Sequence, residues 1–201
     1  MFVIGLTGGI GTGKSEVSRI LEELGAAIID ADQVGHEVYQ LQSKAWKQIV
    51  ANFGQEVLQP SGEIDRKQLG VIVFSDPEAR ATLNAIVHPC IYQRIEQKIE
   101  EFGRLGTEVV VVEAALLIEA GWVSLADEVW VVQSPEEVVV ERLCYRNGLS
   151  EEAVLSRISS QMSFEERRHH ANVMVDNLGD MDELRGNVRD LWESRVKGKV
   201  C

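Results

Sequence analysis

Eight consecutive residues constrain this chain more than any other stretch. Gly8-Gly9-Ile10-Gly11-Thr12-Gly13-Lys14-Ser15 reads G-x-x-x-x-G-K-[ST], the phosphate-binding P-loop. Ahead of it Phe2-Val3-Ile4-Gly5-Leu6 is an apolar run short enough for a buried strand. Behind it Val17, Ile20, Leu21 and Leu24 fall at i, i+3, i+4 and i+7, one face of a helix. Four fixed positions match by accident in about one chain in a hundred of this length, and the flanking strand and helix make accident rarer still. The glycines let the backbone curl until several N–H groups converge on a concave anion site at a helix N-terminus. Lys14 would reach the β- and γ-phosphates as a point charge, and the Ser15 hydroxyl would ligate Mg²⁺. Gly11, Thr12, Gly13, Lys14, Ser15 and Glu16 are thus expected to bind a nucleoside triphosphate.

The 201 residues, 45% of them hydrophobic and 26% charged, suit one globular domain with a subdomain. Such a length buries a substantial core without disulfides. Cys90, Cys144 and Cys201 are odd in number and lack C-x-x-C spacing, which argues for a reducing compartment and against a zinc site. A net charge of −12 makes nucleic acid a poor partner, so an anionic ligand would be held by a local basic cluster against the global field. The most apolar stretch, Val109 to Ile118, is interrupted by Glu113 and is too short to span a bilayer. The N-terminus has no basic n-region and turns into the P-loop at once, so a cytoplasmic protein is expected. A monomer is the separate expectation for its assembly.

Five strands are expected, at Phe2–Leu6, Ala26–Ile29, Val109–Val112, Glu128–Val132 and Val173–Val175, with helical patterns between them. That layout implies an α/β fold with a five-stranded parallel sheet covered on both faces. Ligands of such sheets bind outside the carboxyl ends of the strands, so the residues after each strand carry the chemistry. Residues 1–33, 104–147 and 171–201 would form the core, 34–103 a helical insert for the second substrate, and 142–170 a lid.

After the second strand comes Asp30-Ala31-Asp32. One carboxylate suffices to cap the next helix. The other is available to take the proton of an attacking hydroxyl or to help hold a metal. Glu113 closes the third strand, either as a carboxylate that helps hold Mg²⁺, directly or through water, or as a strand-end charge facing solvent; Glu119 follows in the next loop. Arg142 and Arg146 lie at i, i+4 on one helix, ahead of the Asn147-Gly148 turn, with Arg157 and Gln161 expected on the next. They read as a lid whose guanidinium groups stabilise transferring phosphates, or as a solvated face paired with Glu136, Glu137 and Glu141. Asn177, in the loop after the fifth strand, is placed to contact the nucleotide. His88-Pro89 should interrupt its helix, and His88 alone reads as a structural hydrogen-bonder. Glu165-Glu166-Arg167-Arg168-His169-His170 reads as a solvated helix end.

Several stretches together resemble the bacterial dephospho-CoA kinases over nearly the whole chain. They are Gly5-Leu6-Thr7-Gly8-Gly9-Ile10-Gly11, Ile29-Asp30-Ala31-Asp32, Gly62-Glu63-Ile64-Asp65-Arg66, Ile86-Val87-His88-Pro89, Arg157-Ile158-Ser159-Ser160-Gln161 and Asp176-Asn177-Leu178-Gly179. The resemblance implies a P-loop kinase fold, ATP and dephospho-CoA as substrates, and phosphorylation of the ribose 3′-hydroxyl. It implies Asp32 as base, with His88, Pro89, Arg157 and Gln161 at the acceptor and Arg142 in the lid over ATP. This chain departs from the family pattern at Ala115, where proline is frequent, and at Glu16, where threonine is frequent. A nucleoside or nucleoside-monophosphate kinase shares the same P-loop and lid physics. A regulatory GTPase would require an N-K-x-D, which the chain lacks. A non-catalytic nucleotide-binding regulator predicts no need for Asp32 beyond folding.

Overall fold

The computed structural model describes residues 1–199; Cys201 lies outside the described residues. The strands are β1 (Phe2–Gly8), β2 (Ala27–Asp30), β3 (Val109–Glu113), β4 (Glu128–Gln133) and β5 (Val173–Asp176). They form an all-parallel sheet in the order β2-β3-β1-β4-β5. Between and after them lie α1 (Lys14–Glu23), α2 (Ala31–Val38), α3 (Lys44–Phe53), α4 (Arg66–Ser75), α5 (Pro77–Arg104), α6 (Glu136–Asn147), α7 (Glu151–Ser159), α8 (Phe164–His169) and α9 (Met181–Leu191). The chain divides into two compact units, one of Met1–Ile29 with the chain from Ile99 onward, the other Asp30–Lys98.

In the first unit every residue of β1 is buried, as a central strand covered on both faces should be. β1 runs two residues past the expected Leu6 because Thr7 and Gly8 pair with Val131 and Val132 of β4. On one face Ile4, Leu6, Val111, Trp130 and Val175 pack against Val17, Ile20 and Leu21 of α1 and Leu184 and Val188 of α9. A second cluster joins Val139 and Leu143 of α6 to Val154 of α7, with Ile10 of the P-loop packed against it. At the amino end of β4 the buried Glu128 accepts from Lys199 (2.5 Å) and Trp130 Nε1 (3.1 Å) and pairs with Arg195 (3.0 Å). The C-terminal turn is thereby tied to the sheet.

The second unit is helical. Val34, Ala45, Ile49, Leu69, Leu83, Ile86, Ile91 and Ile95 are among its buried residues. Glu37 of α2 pairs with Arg94 (3.0 Å) and Lys98 (2.9 Å) of α5. The expected break at His88-Pro89 is absent, and α5 continues from Pro77 to Arg104 through Pro89. Proline withholds one backbone N–H from the ladder. The buried stripe of Leu83, Ile86, Val87, Ile91 and Ile95 runs on both sides of it, and its packing keeps the turns in register.

Candidate active site

β1 delivers the P-loop to the carboxyl edge of the sheet, and α1 starts at Lys14. Gly11 (φ 74°) and Gly13 (φ 95°) lie in the left-handed region that side chains disfavour. Space also forbids a side chain there: a β-carbon on Gly13 would collide with Asn177 Nδ2, and one on Gly11 would stand 2.9 Å from Val139 Cγ1. Thr12 closes the curl, its N–H (3.3 Å) and Oγ1 (2.9 Å) both donating to the Gly9 carbonyl. Among the described residues the N–H groups of Gly11, Gly13, Lys14 and Ser15 have no protein acceptor, so they are available to an anion.

Glu113 ends β3 in register with Leu6 of β1. Its Oε1 accepts from Lys14 Nζ at 2.7 Å and from Ser15 Oγ at 3.0 Å. With side chains only 15% and 12% exposed, the Lys14–Glu113 pair is largely out of water. Burial pushes the Glu113 carboxyl up, but the hydrogen bond and charge of Lys14, with hydrogen bonds from Ser18 and Ser15, outweigh it and hold the pKa below its ordinary value. A hydroxyl and a carboxylate on one spot are oxygen donors of the kind Mg²⁺ takes, so Ser15 and Glu113 would fit such an ion. Among the described residues no group of three or more His, Cys, Asp or Glu is placed to hold a metal ion by itself.

Arg142 and Asn177, both expected at ATP, support the loop from below. Asn177 is buried; its Nδ2 donates to the Thr12 carbonyl at 2.8 Å and its Oδ1 accepts from Arg142 Nη2 at 3.4 Å. Arg142 Nη1 also donates to Ser134 Oγ (3.1 Å), which donates to the Asn177 carbonyl (2.7 Å). Arg146 is exposed and bonds its neighbour Asn147, and Arg157 is exposed on α7, so neither joins Arg142 in this arrangement. Gln161 lies in the turn after α7, not on it, and its Oε1 accepts from the N–H of Ile10 at 2.9 Å. Expected at the acceptor, it stands against the P-loop. The Glu16 carboxylate is engaged by Arg19 at 3.0 Å.

A cavity of about 630 Å³ opens at the carboxyl end of β4, lined by Gly9, Thr12, Ser134, Gln161, Phe164 and Arg167 among others. Arg167 corrects the reading of its run as a solvated helix end. The other five residues of Glu165–His170 are exposed, but Arg167 is only 6% exposed. A capping box between Ser163 and Glu166 fixes the start of α8 and turns Arg167 inward. Two adjacent arginines carry no local signal of which one is buried.

In the helical unit Asp30 is the cap of α2, its Oδ1 accepting from the N–H groups of Asp32 (2.8 Å) and Gln33 (3.2 Å). Asp32 is exposed in the first turn and its carboxylate is not needed as the cap. His88 sits half-buried on α5, where burial pushes its pKa down, and Pro89 is exposed. Glu63, Ile64, Asp65 and Arg66 line a second cavity, of about 650 Å³, with His36 and Tyr39. The Arg66 guanidinium stacks over the Tyr39 ring at 5.3 Å.

A family model of dephospho-CoA kinases matches residues 2–183. The chain belongs to the dephospho-CoA kinase family. A dephospho-CoA kinase of Geobacter sulfurreducens is 47% identical over 195 residues, covering 97% of this chain and 99% of that one. One of Dehalococcoides mccartyi is 44% identical over 198 residues, covering 98% and 99%. Among solved structures, the dephospho-CoA kinase of Campylobacter jejuni superposes with a TM-score of 0.75 at 29% identity, covering 98% of both chains. A shikimate kinase of Acinetobacter baumannii, with a TM-score of 0.58, 14% identity and 100% and 96% coverage, shares the fold alone.

Proposed function

We propose that this protein transfers the γ-phosphoryl group of ATP to the ribose 3′-hydroxyl of dephospho-CoA, giving coenzyme A and ADP. The observation that carries this reading is a P-loop with Lys14 and Ser15 gathered on Glu113, in a chain that matches the dephospho-CoA kinases over nearly its full length. The loop N–H groups and Lys14 hold the β- and γ-phosphates. Ser15 and Glu113 would hold Mg²⁺, which when bound neutralises charge on those phosphates. The acceptor oxygen attacks phosphorus in line, its proton passes to Asp32, and the bond to the β,γ-bridging oxygen breaks to release ADP.

Asp32 is assigned as base because the family resemblance points to it and because Asp30 supplies the cap. Asn177 serves ATP by holding the Thr12 peptide, and Arg142 by holding Asn177 and Ser134. His88 and Pro89 are assigned to the acceptor unit with the cavity at Tyr39 and Arg66, whose cationic and aromatic surface suits a nucleotide bearing a diphosphate. Arg157 and Gln161 are assigned to the acceptor on resemblance alone. We place the reaction in the cytoplasm; no helix among the described residues is long and apolar enough to cross a membrane.

ADP release measured with Mg-ATP and, separately, dephospho-CoA, nucleosides and nucleoside monophosphates tests the reading. Release that depends on dephospho-CoA supports it. Release with the other acceptors but not with dephospho-CoA refutes it.

A further inference from the structure

Two charged side chains are buried among the described residues, Glu128 and Arg167. Glu128 is answered by Lys199, Arg195 and Trp130. Arg167 is not answered in kind. A guanidinium carries five N–H donors. Among the described residues its single polar contact is a long one, Nη2 to Glu119 Oε1 at 3.4 Å, and that carboxylate is 26% exposed to water. Its Nε is buried without an acceptor among the described residues. Burying a cation is costly unless it is paired and hydrogen-bonded. The chain holds 32 acidic residues against 20 basic ones, so partners for a structural arginine are plentiful. Folding alone does not account for a buried guanidinium left so nearly unpaired.

Its position supplies the reason. Nη1 lies 3.4 Å from where a β-carbon on Gly9 would stand, and Arg167 lines the cavity of about 630 Å³ with Gly9, Ile10 and Thr12. Gln161 braces the same stretch through the Ile10 N–H. The guanidinium therefore borders the front of a loop whose backbone cradles the β- and γ-phosphates. We propose that Arg167 is a phosphate-binding residue that contacts the terminal phosphate of ATP, with Glu119 as the anion that holds it before the nucleotide arrives. A planar fork of donors suits charge spread over the transferring phosphoryl group. The proposal rests on the reading of Gly8–Ser15 as the ATP site.

The test is Arg167→Met, measured by calorimetric titration with ADP and with a non-hydrolysable triphosphate analogue, by kcat with dephospho-CoA, and by thermal melting without ligand. The expected result is ADP affinity within about threefold of wild type and triphosphate affinity at least about tenfold weaker. kcat should fall by about 10²–10³, the scale of losing one preorganised donor. The melting temperature should hold or rise, because a poorly paired buried charge has gone. Arg167→Lys keeps the charge without the fork and should regain binding more than kcat. Glu119→Gln should tighten the triphosphate. Equal losses for ADP and triphosphate with a lowered melting temperature would show a packing role and overturn the proposal, as would an unchanged kcat. Wild-type protein that fails to bind the triphosphate would refute the reading of the loop, separately from Arg167.

Discussion

The Asn177→Ala variant probes how the fold aims the phosphate site. Thr12 C=O and Gly13 N–H belong to one planar peptide unit, so a donor that holds the carbonyl on one side points the N–H to the other. Asn177 Nδ2 is that donor, at 2.8 Å and buried. Truncation removes one neutral hydrogen bond, worth about 1 kcal/mol net. It leaves Thr12 C=O with Ser134 Oγ at 3.2 Å, a hydroxyl whose shorter bond goes to Asn177 C=O at 2.7 Å. It also leaves Arg142 Nη2 without Asn177 Oδ1, a 3.4 Å contact. These weaker losses and a small void add about 1 kcal/mol more. The total of about 2 kcal/mol corresponds to a melting point lower by roughly 4–8 °C for a chain of this size. A peptide free to rotate should also raise KM for ATP by about tenfold, equivalent to about 1.4 kcal/mol. Thermal melting and initial rates at varied ATP measure both. Asn177→Asp keeps the volume and can pair with Arg142, yet cannot donate to the carbonyl, so it should share the rise in KM. A melting point within about 1 °C of wild type together with an unchanged KM would refute the argument.

Further outcomes follow from the cap at Asp30 and from the shifted pKa values. Asp32→Asn should fold and bind ATP normally while losing most of kcat, whereas Asp30→Ala should lower stability by about 1 kcal/mol through the lost cap; retained kcat in the first variant would reduce Asp32 to a surface carboxylate. Glu113 and Glu128 have pKa values below their ordinary range, so their stabilisation is complete above that range and fades as pH falls through the lowered values. His88, lowered by burial, adds a penalty that begins as pH drops below about 6.5. Urea unfolding should therefore show stability falling as pH drops below about 6.5 and falling again below about 4.5, with His88→Gln removing the upper part of the slope; stability that rises on acidification from pH 6.5 to 5 would contradict the assignments.

The features legible in the sequence were those written over short spans. The P-loop declares itself in eight residues, β3 ends at Glu113 as its apolar run suggests, and every expected strand forms within two residues of its expected limits. What the sequence does not show depends on partners far apart in the chain. Gln161 meets Ile10, Asn177 meets Thr12, and Arg167 comes to rest beside Gly9 only once α6 to α8 have packed. Arg167 and Arg168 are neighbours of the same type, and burial separates them without any periodic signal. At Pro89 a sound local rule predicts a break, and the buried stripe of α5 overrides it. Of Asp30 and Asp32, the sequence shows that one cap is needed, and the hydrogen bonds show which residue supplies it.

The most direct measurement of the central claim is the position of the transferred phosphate. Purified protein, Mg-ATP and dephospho-CoA should yield a product whose ³¹P spectrum shows one new phosphomonoester coupled to the ribose 3′ carbon, with one ADP formed per phosphomonoester. A phosphomonoester at another hydroxyl, or ADP formed with no phosphorylated acceptor, would contradict the account.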